Sequence, residues 1–210
     1  VADNASVEIG PITDVQPVTP AQFKNIDTSM LDTIAADRGN QLFQQAQKEY
    51  PYLANKDIAF KYSPNPADER MLEFYHPEET ERPQYMPAGK VGIEVFSPKA
   101  SPLDILADYV SHYAVGTNAQ GQPIDPKLQA LYQQFQNQLS PATLPDRYYY
   151  HVKNLGETRP YEQWLESTGL PELFRGYTFK QFGPEEEAKK MYTPEQLKTL
   201  DQVRSYLNVK

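Results

Sequence analysis

Residues 91–116 read VGIEVFSPKASPLDILADYVSHYAVG, and this stretch decides the fold class. Its opening alternates, with Val91, Ile93 and Val95 on one face, which is the period of a strand. From Pro102 the period becomes helical. Ser101 is a good N-cap, Pro102 suits a first helical position that has no N–H partner to lose, and Gly116 stops the helix after about Val115. A strand that feeds a capped helix is the repeating join of a mixed fold.

Two more strands lie N-terminal to it. Residues 70–76 (RMLEFYH) put Met71, Glu73 and Tyr75 on one face and Leu72 and Phe74 on the other, and residues 57–63 (DIAFKYS) alternate in the same way. Together they predict a small, mostly antiparallel sheet of about three strands. Residues 76–90 carry Glu78, Glu79 and Glu81 among Pro77, Pro83 and Pro87, and predict a long irregular loop. Further back, Met30, Leu31, Ile34, Ala35, Leu42, Phe43, Ala46 and Tyr50 keep helical spacing over about 28–50. Pro51 ends that helix, and Gly39 predicts a kink or break. Residues 1–26 hold Pro11, Pro17 and Pro20 with no apolar period, which predicts an extended arm ordered by lying on the body or on a partner. The chain opens at Val1, which we read as a fragment or a processed product, and no signal-peptide core is present.

The C-terminal half is helix-rich. Asp125-Pro126 starts a helix to about Leu139 with Leu128, Leu131, Tyr132 and Phe135 inward. Ser140-Pro141 starts another, and a short one carries Tyr161, Trp164 and Leu165. Residues 169–182 (GLPELFRGYTFKQF) are apolar but interrupted by Gly and Pro, and predict an irregular buried crossing. Glu185 to Glu187 before Lys189 and Lys190 suit a short exposed helix aligned with its dipole. Thr193-Pro194-Glu195-Gln196 is a capping box that opens a helix to about Leu207. The expectation is an α+β protein: an arm over 1–26 and a single domain over 27–210, made of a helix–sheet–helix core (27–116) and a helical part (117–210).

Composition narrows the function classes. Twenty Lys and Arg against 28 Asp and Glu leave a net charge of −8 in 210 residues. That balance argues against direct nucleic-acid binding, which needs a basic face to displace counterions, and against a polybasic membrane-surface protein. No apolar run approaches the roughly 20 residues of a spanning helix. The absence of cysteine removes thiol catalysis, iron–sulfur clusters and disulfides. Fifteen Tyr beside a single Trp suggest faces that pack and hydrogen-bond at once, as interfaces do. No Gly-rich phosphate loop and no Gly-x-Ser-x-Gly elbow occurs.

Three groups of residues could carry chemistry. Asp104, Asp108 and His112 stand one turn apart along one helix face. Arg175, followed by Gly176 and Tyr177, could take a carboxylate or phosphate through its fork. Tyr148, Tyr149 and Tyr150, with Trp164 nearby, could offer rings to a partner.

Asp108-Tyr109-Val110-Ser111-His112 occupies the positions of His-Glu-x-x-His. The order of helix, strands, an edge-like strand (91–96) and then this helix resembles the zincin-like metallopeptidase core over about residues 28–116. The resemblance implies His112 as a metal ligand, Asp108 in place of the first histidine and Asp104 as a further candidate. Tyr109 stands where the glutamate base belongs, and a phenol with a pKa near 10 is a poor base at neutral pH. The implied protein is a degenerate zincin. Residues 159–165, 169–179 and 191–197 are similar to segments of very large bacteriophage proteins carried in or on the virion, which implies a structural or DNA-ejection role.

The expectation is therefore a non-enzymatic interaction module of a bacteriophage virion, whether internal, ejection or tail-associated, with no cofactor. It would contact other virion or assembly proteins, or a second copy, through Tyr148, Tyr149, Tyr150, Trp164, Arg175 and Tyr177. Two alternatives stand beside it. One is a zincin-type metallohydrolase with zinc on Asp108 and His112. The other is a secreted or periplasmic binding module with an aromatic site near Trp164 and Tyr148, Tyr149 and Tyr150.

Overall fold

The computed structural model describes residues 28–65, 70–139, 148, 152–154 and 156–210. The expected arm, the helix start at Ser140-Pro141, and Tyr149 and Tyr150 lie outside the described residues. Helix α1 (Thr28–Glu49) ends before Pro51 as predicted, and Pro51–Leu53 forms a 3-10 turn. The helix runs through Gly39 without the expected break. A Cβ on Gly39 would stand 2.7 Å from the Tyr62 Cβ, so the glycine lets α1 settle directly on the sheet. That contact offsets the cost of about 1 kcal/mol that glycine brings to a helix interior.

Strands β1 (Ile58–Tyr62), β2 (Leu72–Tyr75) and β3 (Val91–Val95) form one sheet in the order β1-β3-β2. β3 runs antiparallel to β2 and parallel to β1, so the sheet is mixed. β3, expected at an edge, is the central strand, and every one of its residues is buried. Alternation reports which side chains share a face; it carries no information on strand order. Phe60, Ile93 and Phe74 lie in one cross-strand row, and Phe43 of α1 stacks on Phe60 at 4.9 Å. The opposite face is covered by the irregular loop of residues 76–90. There Met86 is buried, and the Tyr75 and Tyr85 hydroxyls donate to the buried Glu94 carboxylate at 2.9–3.1 Å.

Helix α2 (Pro102–Tyr109) starts with a complete capping box between Ser101 and Asp104. It does not continue as a regular α-helix. Val110–Ala114 widen into a π-turn closed by the Val115 N–H on the Val110 carbonyl at 3.2 Å. Asp125 caps helix α3 (Pro126–Asn137) through Oδ1, while its Oδ2 accepts the hydroxyls of Tyr52 (2.8 Å) and Tyr206 (3.2 Å).

The expected irregular crossing over 169–182 is instead mostly helix. Helix α4 (Tyr161–Trp164) passes through a second π-turn, Leu165–Gly169, into helix α5 (Leu170–Thr178). The π-turn bonds the Leu170 N–H to the Leu165 carbonyl and places Pro171 in the first turn of α5, where a proline costs least. Helix α6 (Glu185–Lys189) and helix α7 (Pro194–Leu207), opened by the Thr193–Gln196 capping box, complete the chain.

Ile93, Val95, Ile105 and Leu106 from the sheet half join Phe135, Trp164, Phe174 and Leu200 from the helical half in one apolar cluster. Each fully buried side chain of this size contributes roughly 1.5–3 kcal/mol. No helix among the described residues is long and apolar enough to cross a membrane.

Candidate functional site

Two of the sequence candidates meet. Asp108, near the end of α2, and Arg175, in the middle of α5, face each other where the sheet half abuts the helical half. Arg175 Nη2 donates to Asp108 Oδ1 at 3.2 Å, and Arg175 Nη1 lies 3.1 Å from His112 Nε2. Arg175 Nε donates to Gln181 Oε1 at 3.3 Å. The Asp108 and Arg175 side chains are 8% and 20% exposed, whereas His112 is 47% exposed, so the ion pair is sheltered and the imidazole caps its outer end.

A guanidinium has only donors, so the His112 Nε2 that faces it accepts, and the ring proton is assigned to Nδ1. The neutral ring stacks on Phe74 at 5.5 Å, and His76 meets Phe74 edge-on at 5.1 Å. Partial desolvation of its half-exposed ring lowers the His112 pKa below its ordinary value, and Arg175 and His76 push the same way against Asp108. The π-turn sits under this arrangement, because His112 lies within it. π-turns are frequent at places where a helix must redirect one side chain.

This geometry changes the reading of the metal candidates. The space shared by Asp108 and His112, where a zincin-type ion would sit, is taken by the Arg175 guanidinium. Asp104 is committed elsewhere, accepting from the Ser101 N–H (2.8 Å) and Oγ (2.7 Å). Among the described residues no group of three or more His, Asp and Glu is placed to hold a metal ion. Tyr109, at the position of the glutamate base, is 4% exposed, and burial raises its hydroxyl above the usual phenol range.

The aromatic candidates separate. Trp164, expected at a contact surface, is fully buried against Tyr161 and Tyr148, so no ligand ring can stack on it. Tyr177 is also a core residue; its hydroxyl donates to Asp201 at 2.8 Å and its ring lies beneath Arg204 at 5.0 Å. Trp164 sits among the polar Glu162, Gln163 and Glu166 in sequence while its helix face turns inward, whereas Tyr177 lies in the apolar stretch 169–182 that was expected to be buried. Tyr148 donates to the Arg159 carbonyl at 2.6 Å.

Surface features supply what the sequence did not announce. A groove of about 1160 Å3 lies between α3 and α7, open to solvent and walled by Ala130, Leu131, Leu197 and Tyr206. Lys127 sits over the Tyr206 ring at 4.3 Å. In sequence Leu131 belongs to the stripe expected to face inward, so the pattern around Ala130 does not mark the groove. Phe74, His76 and Gln181 around the ion pair were missed too, although the alternation of β2 does put Phe74 and His76 on one face. Comparison with family models, with curated proteins and with solved structures finds no match to this chain.

Proposed function

We propose that this protein is a non-enzymatic interaction module that docks partner proteins, and that it works in a bacteriophage particle. The observation that carries the docking role is the open groove between α3 and α7. Its apolar walls, with Lys127, Lys198 and Asp201 among its lining residues, suit an amphipathic helix laid between two helices. The polar cluster of Asp108, His112 and Arg175 supports the non-enzymatic reading from the other side. Its groups bond one another and tie the two halves of the fold together, and the neighbouring Ser111 hydroxyl is engaged elsewhere, donating to the Ala107 carbonyl at 2.6 Å. The phage setting rests on the resemblance read from the sequence in residues 159–165, 169–179 and 191–197 to segments of large virion proteins.

The test is particle purification. The chain should travel with intact particles through a density gradient, detected by peptide mass spectrometry. A Leu131→Glu, Leu197→Glu double variant that keeps its circular dichroism should be lost from them. Finding the chain only in the soluble fraction would contradict the proposal.

A further inference from the structure

The two walls of the α3–α7 groove are in a fixed register. Lys127 sits over the Tyr206 ring at 4.3 Å, and Gln134 Nε2 donates to Thr199 Oγ1 at 3.1 Å, so α3 and α7 run antiparallel. The lining residues of α3, which are Lys127, Ala130, Leu131 and Gln134, recur at the spacing of one helix face. Those of α7 do the same from Pro194 to Tyr206. At 1.5 Å per residue the α7 wall is about 18 Å long, which is about three turns of a third helix laid beside it.

Charges stand along this groove in one order. Lys198 and Asp201 are exposed on the α7 wall, about 4.5 Å apart along the helix axis. Lys127, level with Tyr206, stands on the α3 wall about 12 Å from Lys198 along the same axis. The order is cation, anion, cation, with unequal steps. Among the described residues neither lysine has a carboxylate partner, and Lys127 has the Tyr206 ring instead. The chain does pair such groups elsewhere, as Lys189 of α6 does with Glu185 and Glu186. The Tyr177 hydroxyl donates to Asp201 Oδ1 at 2.8 Å, which fixes that carboxylate and leaves Oδ2 for a partner's cation.

We infer that the groove selects a partner helix whose flanks carry the complementary order: an acidic residue for Lys198, a basic one a turn on for Asp201, and an acidic one two turns on for Lys127. The apolar stripe of that helix, seated on Leu131 and Leu197, gives the affinity. The three charges give the register, and their unequal steps on two walls give the direction. The inference rests on the reading of this groove as a docking site and adds what the groove selects.

Fluorescence anisotropy with two labelled peptides on the full chain tests it. Both are amphipathic helices of about sixteen residues with the same leucine stripe, long enough to hold helix. One carries Glu, Lys and Glu at the three flank positions, and the other carries Lys, Glu and Lys. The first should bind about tenfold more tightly, the size expected of three exposed ion pairs, and the difference should shrink as salt is added. A Lys127→Glu, Lys198→Glu variant that keeps its circular dichroism should reverse the preference. Equal affinities for the two peptides would overturn the charge order while leaving the groove a docking site. Binding of neither would overturn the docking of a helix as well. Self-association in sedimentation that Leu131→Glu abolishes would make a second copy the occupant and would also overturn the inference.

Discussion

Arg175 donates to Asp108 at 3.2 Å across the junction of α5 and α2, and these two residues lie 67 positions apart in the chain. Both side chains are largely withdrawn from water. Removing one partner of a sheltered pair leaves the other as an uncompensated charge. Asp108→Ala or Arg175→Ala should therefore cost roughly 3–5 kcal/mol of unfolding free energy. The Asp108→Leu, Arg175→Met double variant should recover most of that loss, because two apolar side chains of similar volume leave nothing unpaired. Urea unfolding of the four proteins checks this; a double variant as unstable as the sum of the singles would contradict it.

His112 makes stability depend on pH. Its folded pKa lies below its ordinary value, first through partial desolvation and then through Arg175 and His76. The unfolded chain therefore binds the proton more readily than the folded one. The stabilisation is present above the unfolded pKa of about 6.5 and is lost as pH falls from there toward the lower folded value. Asp108 faces the same ring and moderates the loss. Urea midpoints should fall between pH 7.5 and pH 5.5, and His112→Gln should flatten that part of the profile.

Asp125 is a second tie between the halves, because one carboxylate caps α3 and also holds Tyr52 and Tyr206. Asp125→Ala removes a cap and leaves the half-buried Tyr52 hydroxyl without its partner, so a loss of roughly 1–3 kcal/mol is expected. Tyr206→Phe removes one longer bond and should cost about 0.5–1.5 kcal/mol. Thermal melts in which the two variants lose equally would show that the cap contributes nothing.

Zinc distinguishes the hydrolase alternative. With the Arg175 guanidinium between Asp108 and His112, protein purified without chelators should carry far less than stoichiometric zinc. A chelator should leave its melting temperature unchanged. Near-stoichiometric zinc that disappears in His112→Ala would require the arginine to move aside and would restore the metal-site reading.

What could be read in the sequence was local. The Ser101 N-cap, the Thr193 capping box, the Asp125 cap and the three alternating strands all depend on residues within one turn or one strand, and the structure has each of them. What could not be read was set by distant contacts. The helix passes Gly39 because Tyr62 packs there, and α5 takes Pro171 into its first turn because a π-turn precedes it. Asp108, His112 and Arg175 were each singled out, yet nothing within either segment says that the arginine takes the place beside the other two. Strand order and the α3–α7 groove are likewise products of assembly.

Photo-crosslinking in the particle tests the central claim most directly. A crosslinking residue at Ala130 or at Ser205 would sit in the α3–α7 groove, while one at the exposed Lys190 lies just beyond α6, outside the groove-lining residues. The interaction-module account predicts crosslinks from positions 130 and 205 to another virion protein, and none from position 190. A chain that is present in particles but gives no crosslink from either groove position, or gives the same products from position 190, would contradict it.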